Sequence, residues 1–180
     1  HSAAERADRM MDDLLDFTRA RFGGGIHVER EPIDLDQLTQ KLLAELRSAH
    51  PGRDLTVEAE GDTSGNWDPV RIAQLERNLL LNALAYSPAE TKVRVQLHGG
   101  AHEVTLAVHN DGPPIPARRW ESIFQPVQRA AAAAGRSVGL GLYIAQSIVH
   151  AHGGTISVMS QAGAGTTFEV RLPRSVSKRS

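Results

Sequence analysis

Apolar residues recur along this chain with two periods, one typical of helices and one typical of strands. Residues 2–22 carry one apolar stripe at helical spacing, formed by Ala7, Met10, Met11, Leu14, Leu15 and Phe17. Three glycines at 23–25 follow and predict a flexible joint. An amphipathic helix of this length cannot bury its stripe alone, so we expect it to pack on the following domain or on a second helix.

Beyond these glycines the pattern predicts helices and strands in quick succession. Helices are predicted at 34–47, from Asp68-Pro69 into the segment 78–88, near 117–123 and at 140–151, with Asp34 and Asp68 as N-caps. Strands are predicted at 55–59, in a hairpin at 92–98 and 103–109, and in the last two segments, TISVMS and TTFEVRL. Because each strand alternates, helices should cover one side of the sheet, which predicts a two-layer α/β sandwich.

Composition narrows the class of protein. The 180 residues are 41% hydrophobic and 23% charged, as in soluble globular domains. A formal net charge of −1 argues against a general nucleic-acid or membrane-surface binder. The absence of cysteine excludes disulfides, thiol nucleophiles and cysteine metal sites, and it fits a cytoplasmic location. The chain begins without methionine inside a helical pattern, so we expect it to be part of a longer protein that could be membrane-anchored.

Two asparagines stand out in the apolar segment NLLLNALAYSP. Asn78 and Asn82 are four residues apart, so their side chains share one helix face. A buried carboxamide without a partner costs a few kcal/mol, roughly 1–3 by mutation. The two carboxamides must therefore form hydrogen bonds, either with backbone or water in the core or with a ligand.

Three glycine-bearing stretches are candidate loops around a ligand: NDGPPIP at 110–116, GRSVGLGLY at 135–143 and AGAGTTF at 162–168. Each alone is a weak signal, and none matches the phosphate-loop or dinucleotide-binding patterns. Gly139 and Gly141, however, lie at a predicted helix N-terminus, where backbone N–H groups can approach an anion. A phosphate chain is the obvious candidate.

Taken in order, these features resemble the five nucleotide-binding boxes of bacterial sensor histidine kinases. The matching residues are Asn78 to Asn82, Asp111-Gly112, Phe124 with Pro126, Gly139 to Leu142 and Gly165-Thr166. The chain looks like the catalytic and ATP-binding domain of that family, which shares the Bergerat ATP-binding fold with gyrase and the MutL-type ATPases. The resemblance, over residues 2 to about 173, implies a mixed sheet with helices on one face. It implies three parts: residues 1–24 as the end of the dimerisation and phosphotransfer hairpin, 25–175 as the ATP-binding domain, and 176–180 as a tail.

The resemblance also implies roles for individual residues. Asn82, aided by Asn78, would hold Mg²⁺, since amide oxygens suit a hard cation shared with phosphates. Asp111 would accept a hydrogen bond from the adenine amino group. Thr166 would complete the adenine site through water, and Tyr86 would lie against the base. The full nucleotide-binding set implied is Asn78, Asn82, Tyr86, Asp111, Gly112, Ile115, Phe124, Arg129, Gly139, Leu140, Gly141, Leu142 and Thr166.

Asn78 bears on the type of reaction. The hydrolysing relatives carry a glutamate there that activates water, whereas an amide cannot take a proton. The resemblance therefore implies transfer of the γ-phosphate of Mg-ATP to a histidine on the dimerisation hairpin of a homodimer, and then to a response regulator. None of the eight histidines lies in an acceptor pattern, so the acceptor should lie outside this chain.

Several positions depart from the family pattern. Ala85 replaces a phosphate-binding Lys or Arg, Pro114 and Ser137 replace glycines, and Val127 replaces a second Phe. Arg129 and Arg136 could supply the missing charge from the alanine-rich loop, or could be surface residues. Two alternatives therefore remain open: a degenerate nucleotide-binding regulatory module and an anti-sigma-type serine kinase. The long amphipathic helix before the domain favours the histidine kinase.

Overall fold

The computed structural model describes residues 11, 14–18, 21, 23, 25–125 and 140–174. Most of the predicted leading helix lies outside these residues. So does the alanine-rich loop, with the predicted site residues Arg129 and Gly139.

Three helices form one layer, and two of them begin at the predicted caps. Helix α1 (Leu35–Ala49) starts after Asp34, whose side chain accepts a hydrogen bond from the N–H of Asp36. Helix α2 (Pro69–Tyr86) starts after Asp68, whose carboxylate accepts from two N–H groups of the first turn. Helix α3 covers Gly141–Ala151. In place of the single short helix predicted near 117–123 there are two 3₁₀ turns, Ala117–Arg119 and Ser122–Phe124.

Within the described residues, seven strands form two sheets. In chain order they are β1 (Glu31–Asp34), β2 (Asp54–Gly61), β3 (Ser64–Trp67), β4 (Lys92–Gly99), β5 (Glu103–Asn110), β6 (Thr155–Gln161) and β7 (Gly165–Pro173). The larger sheet has the order β2-β4-β5-β7-β6, in which β2 and β4 are parallel and the other pairs are antiparallel. The mixed sheet and the predicted hairpin are thus confirmed.

Strands β1 and β3 form a separate antiparallel pair that the sequence did not predict. Each has only four residues, and Pro32 and Gly65 interrupt any alternating pattern. Gly65 is needed because a Cβ there would lie 2.1 Å from the ring of Trp67. The indole of Trp67 is fully buried and donates to the carbonyl of Pro173 at 2.8 Å, which fastens the small sheet to the end of β7.

The core lies between the helices and one face of the large sheet. Alternate residues of the central strands are buried there: Val93, Val95, Leu97, Val104, Leu106, Val108, Phe168, Val170 and Leu172. The residues between them are exposed or half-buried, so the opposite face is polar. The two-layer α/β architecture is confirmed. None of the described helices combines the length and the apolar character needed to cross a membrane.

Residues 14–18 are helical and lie against the domain. The carboxylate of Asp16 is 2.8 Å from both Arg71 Nη1 and Gln74 Nε2 on α2. The ring of Phe17 meets Tyr143 of α3 edge to face, with centroids 5.5 Å apart. Met11, Leu14 and Leu15 remain exposed. The following domain therefore covers Phe17, while these three members of the apolar stripe are uncovered.

Candidate functional site

Asn78 on α2 lies directly against the start of α3. A Cβ built on Gly141 would be 3.5 Å from Asn78 Oδ1, an ordinary van der Waals distance, so the two helices are closely packed there. The Nδ2 atom of Asn78 is buried, and no hydrogen-bond acceptor for it is found among the described residues. Leu140, at the cap of α3, provides no side-chain hydrogen bond to the first turn. An unpartnered amide donor beside an uncapped helix start is a suitable environment for a phosphate oxygen.

The two remaining α2 residues of the predicted site follow at successive turns. Asn82 is half-buried, and Tyr86, at the last helical position, has 48% of its surface exposed. The helix rises about 1.5 Å per residue, so Asn78 and Tyr86 are separated by roughly 12 Å along the axis. Helix α2 thus links the glycine start of α3 to the loop that follows β5.

That loop reaches the end of α2 at Gly112. A Cβ at residue 112 would lie 2.4 Å from the carbonyl oxygen of Tyr86 and 3.1 Å from Asn110 Nδ2. Real Cβ atoms do not approach a backbone oxygen so closely, so this position requires glycine. Gly112, a member of the predicted nucleotide-binding set, allows this loop to approach the end of α2 closely.

Asn110 faces the helix layer, and Asp111 does not. Asn110 is the last of four buried residues with period two on β5, after Val104, Leu106 and Val108, and is 3% exposed. The side chain of Asp111 is 47% exposed, and its Oδ1 lies 3.5 Å from Nε2 of His109. His109 points to the opposite face, where its Nδ1 is 2.9 Å from Thr167 Oγ1.

The role predicted for Asp111 as the adenine-binding carboxylate is not supported by this position. The neighbouring residue Asn110 does face the helix layer, with its carboxamide pointing inward beside Gly112. The sequence reasoning missed Asn110 although the signal was available: continuing the alternation of β5 by one step brings residue 110, not 111, into phase with the buried valines.

Thr166 lies beside Asn110 on the neighbouring strand. The two are register partners between β5 and β7, and Thr166 is 4% exposed. Its Oγ1 is 2.7 Å from the hydroxyl of Ser160 on β6, and the same hydroxyl accepts a hydrogen bond from the N–H of Ile115 at 2.8 Å. The predicted residues Ile115 and Thr166 are therefore joined by Ser160, which sequence reasoning did not identify.

Three other predicted nucleotide-binding residues belong to the core. Phe124 is 6% exposed and meets Phe168 edge to face, with centroids 6.3 Å apart. Leu140 and Leu142 are 5% and 3% exposed. Their side chains support the site from beneath and fix the position of Gly141 between them. Arg129 and Gly139 stay predictions, because they lie outside the described residues.

His152, at the end of α3, has a structural role. The ring of His152 is fully buried; its Nδ1–H donates to the carbonyl of Ile148 at 2.8 Å, and its Nε2 accepts from the N–H of Asp68 at 3.0 Å. Burial lowers the pKa of His152 below its usual value of 6.5. Both nitrogens are used, so His152 cannot bind a metal with His150. No group of three or more His, Cys, Asp or Glu side chains able to hold a metal is found in the described part of the chain.

A magnesium ion would thus depend on the asparagines. Amide oxygens of Asn78 and Asn82 are hard ligands, and Mg²⁺ in nucleotide sites takes few protein ligands because water and phosphate supply the others. The unpartnered Nδ2 of Asn78 fits a phosphate oxygen in the same place. The residues present therefore fit a Mg-nucleotide.

Known proteins similar to this chain include ATPases and histidine kinases. Residues 67–176 match the family model described as histidine kinase-, DNA gyrase B-, and HSP90-like ATPase. A probable sensor histidine kinase of Mycobacterium tuberculosis, TcrY, is 35% identical over 176 residues, which are 96% of this chain and 36% of that protein. The chain spans between 24% and 46% of the length of the first curated relatives it matches.

Solved structures share the fold. The catalytic domain of the histidine kinase ThkA superposes with a TM-score of 0.71 at 28% identity, covering 81% of this chain and 96% of that one. ThkA in complex with the response regulator TrrA superposes with a TM-score of 0.75 at 26% identity, covering 98% of this chain and 49% of that one.

Proposed function

Since the chain belongs to the histidine kinase-, DNA gyrase B-, and HSP90-like ATPase family, we propose that it binds Mg-ATP beside α2 and donates the γ-phosphate to a histidine outside this chain. The observation that carries the proposal is the contact of Asn78 with Gly141. It places the buried Nδ2 of Asn78, which has no acceptor among the described residues, beside a helix start without a side-chain cap. The parent protein would then be a two-component sensor kinase, as the named relatives are.

We place the phosphates at Asn78 and α3, and the base at the far end of α2. Asn82 and Asn78 would hold Mg²⁺ through their amide oxygens; the bound ion neutralises charge on the phosphates. Asn110, in place of Asp111, would receive the adenine amino group on its Oδ1. Asn and adenine are well matched, since a carboxamide offers an acceptor and a donor side by side.

The same residues favour transfer over hydrolysis. An amide at position 78 cannot remove a proton from water, so no general base is placed there. In transfer, the bond between the γ-phosphorus and the β,γ-bridging oxygen breaks, and ADP leaves with that electron pair. A new bond forms from the phosphorus to an imidazole nitrogen. The task of this domain is to position the phosphate and balance its charge.

The partners of the proposed reaction are the dimerisation hairpin of the same protein and a cognate response regulator. The solved kinase–regulator complex supports the second partner. The contact of Asp16 and Phe17 with α2 and α3 supports the first, because the leading segment lies against the helices that carry the site.

The test is phosphotransfer in a longer protein in which a dimerisation hairpin with its histidine precedes this chain. We expect label from γ-³²P-ATP on the hairpin, lost in Asn82→Ala and retained in the control Asn66→Ala, since Asn66 is exposed on β3. Binding of Mg-ATP without any transfer would instead favour the regulatory module, and equal labelling of both variants would contradict the placement of the metal.

A further inference from the structure

Ser160 forms two hydrogen bonds within the protein, and the proposed nucleotide contacts involve neither of them. It lies on β6, an edge strand of the sheet, and its side chain points to the helix layer. Its hydroxyl oxygen is 2.8 Å from the N–H of Ile115 and 2.7 Å from Oγ1 of Thr166. A single hydroxyl therefore joins the loop after β5 to the start of β7.

One of these two hydrogen bonds has a fixed direction. A backbone N–H can only donate, so Ile115 donates and Ser160 accepts. Between Ser160 and Thr166 either hydroxyl can be the donor. A hydroxyl that already accepts a hydrogen bond is a stronger donor, so cooperativity favours donation from Ile115 to Ser160 to Thr166.

This direction decides which group of Thr166 needs a partner from a ligand. When its oxygen accepts from Ser160, its own hydrogen is left to donate, and Thr166 is only 4% exposed. No acceptor for that hydrogen is found within the described part of the chain. Without Ser160, the hydroxyl of Thr166 could rotate and either donate or accept.

We propose that Ser160 is a positioning residue that makes Thr166 a donor and so selects adenine over guanine. The inference rests on the proposed nucleotide site, with Asn110 and Thr166 facing the base. The neighbouring edge atoms of adenine are an amino donor and the N1 acceptor, whereas guanine presents the O6 acceptor and the N1–H donor. Asn110 can present either of its ends, so it does not discriminate alone. A donor at Thr166 that meets the base directly matches N1 of adenine and opposes N1–H of guanine.

The experiment is calorimetric titration of Mg-ATP and Mg-GTP into the wild-type chain, Ser160→Ala, Ser160→Thr and Ser157→Ala. Ser157 is the matched control because it lies on the same strand but is exposed. Loss of one neutral hydrogen bond predicts that Ser160→Ala weakens Mg-ATP binding about fivefold. Mg-GTP should weaken less, so that the preference for ATP narrows. Ser160→Thr retains the hydroxyl and should restore the preference, and Ser157→Ala should match the wild type.

Three results would overturn the inference. In the first, Ser160→Ala binds both nucleotides as the wild type does. In the second, Ser160→Ala loses affinity for ATP and GTP by the same factor, as a general structural defect would cause. In the third, the wild type binds ATP and GTP equally. In each case a wild-type chain that binds Mg-ATP leaves the proposed function standing. A wild-type chain that binds neither nucleotide overturns both.

Discussion

Replacing Glu76 with glutamine should stabilise this protein at neutral pH. Glu76 lies on α2, is 1% exposed, and its Oε1 is 2.8 Å from the hydroxyl of Thr39. That hydroxyl is also 2.8 Å from the carbonyl of Leu35. One hydroxyl hydrogen cannot serve two acceptors, so Thr39 can donate to Leu35 or to Glu76 but not to both at once. A protonated Glu76 removes this competition, because it can itself donate to Thr39 Oγ1.

Electrostatics give the same answer. Burial raises the pKa of Glu76 from 4.5 to about 8, against the smaller opposing effect of the Thr39 hydrogen bond. At pH 7 the folded protein therefore holds a proton that the unfolded chain releases. Because the folded pKa is the higher one, the contribution of Glu76 to stability is complete below pH 4.5 and is lost as pH rises to about 8.

The size of the effect follows from linkage. Each pH unit above the unfolded pKa costs about 1.4 kcal/mol, so Glu76 lowers the free energy of unfolding by roughly 3 kcal/mol at pH 7. Glutamine has nearly the same shape, and its amide N–H can donate to Thr39 at any pH. The free energy of unfolding of the variant should therefore exceed that of the wild type by roughly 2–4 kcal/mol at pH 7, and the two should be similar near pH 5.

The assay is urea unfolding of wild type and Glu76→Gln at pH 5, 6, 7 and 8. The difference in unfolding free energy should grow by about 1.4 kcal/mol per pH unit. Glu58→Gln is the control, since Glu58 is exposed on β2 and its substitution should give no slope. A difference that does not change with pH, or a variant less stable than wild type at pH 7, would refute the reasoning.

Three further predictions concern single contacts. His152→Leu should lower the free energy of unfolding by about 1–3 kcal/mol at pH 7, because a buried N–H loses its acceptor. Since burial lowers the pKa of His152, its contribution to stability is complete above pH 6.5 and fades as pH falls. Unfolding at pH 5 should therefore show a smaller difference between variant and wild type. Gly112→Ala places a Cβ 2.4 Å from the Tyr86 carbonyl, so titration should show Mg-ATP affinity reduced about tenfold or more, whereas unchanged affinity would exclude that close approach from the site. Asp16→Ala removes the partner of Arg71 and should speed amide hydrogen exchange in residues 14–18 with little change in the sheet; unchanged exchange would mean that other contacts hold the segment.

The fold was predictable where local chemistry decides the structure. Asp34 and the Asp68-Pro69 pair mark helix starts, because a carboxylate before a helix satisfies N–H groups that have no partner within it. The pairing of β1 with β3 was not predictable, because it depends on the burial of Trp67 against the end of β7, more than 100 residues later.

Some residues of the candidate site were predictable from the sequence, and others were not. The asparagine pair and the glycines were visible in the sequence, and the need of Asn78 for a partner agrees with its buried Nδ2. The sequence points to Asp111 because a carboxylate before glycine suggests function, whereas the phase of β5 decides which side chain points inward. Ser160 acts through contacts with two distant segments, so only the folded structure identifies it.

The most direct test of the account is calorimetric titration of ATP, with and without Mg²⁺, into the wild-type chain and two neighbouring variants. We expect the wild type to bind ATP more tightly with Mg²⁺. Asn110→Leu should lose most of this affinity, since its buried carboxamide faces the base. Asp111→Asn should keep it, since Asp111 lies beside His109. Loss of binding in Asp111→Asn with full binding in Asn110→Leu would contradict the site as placed here.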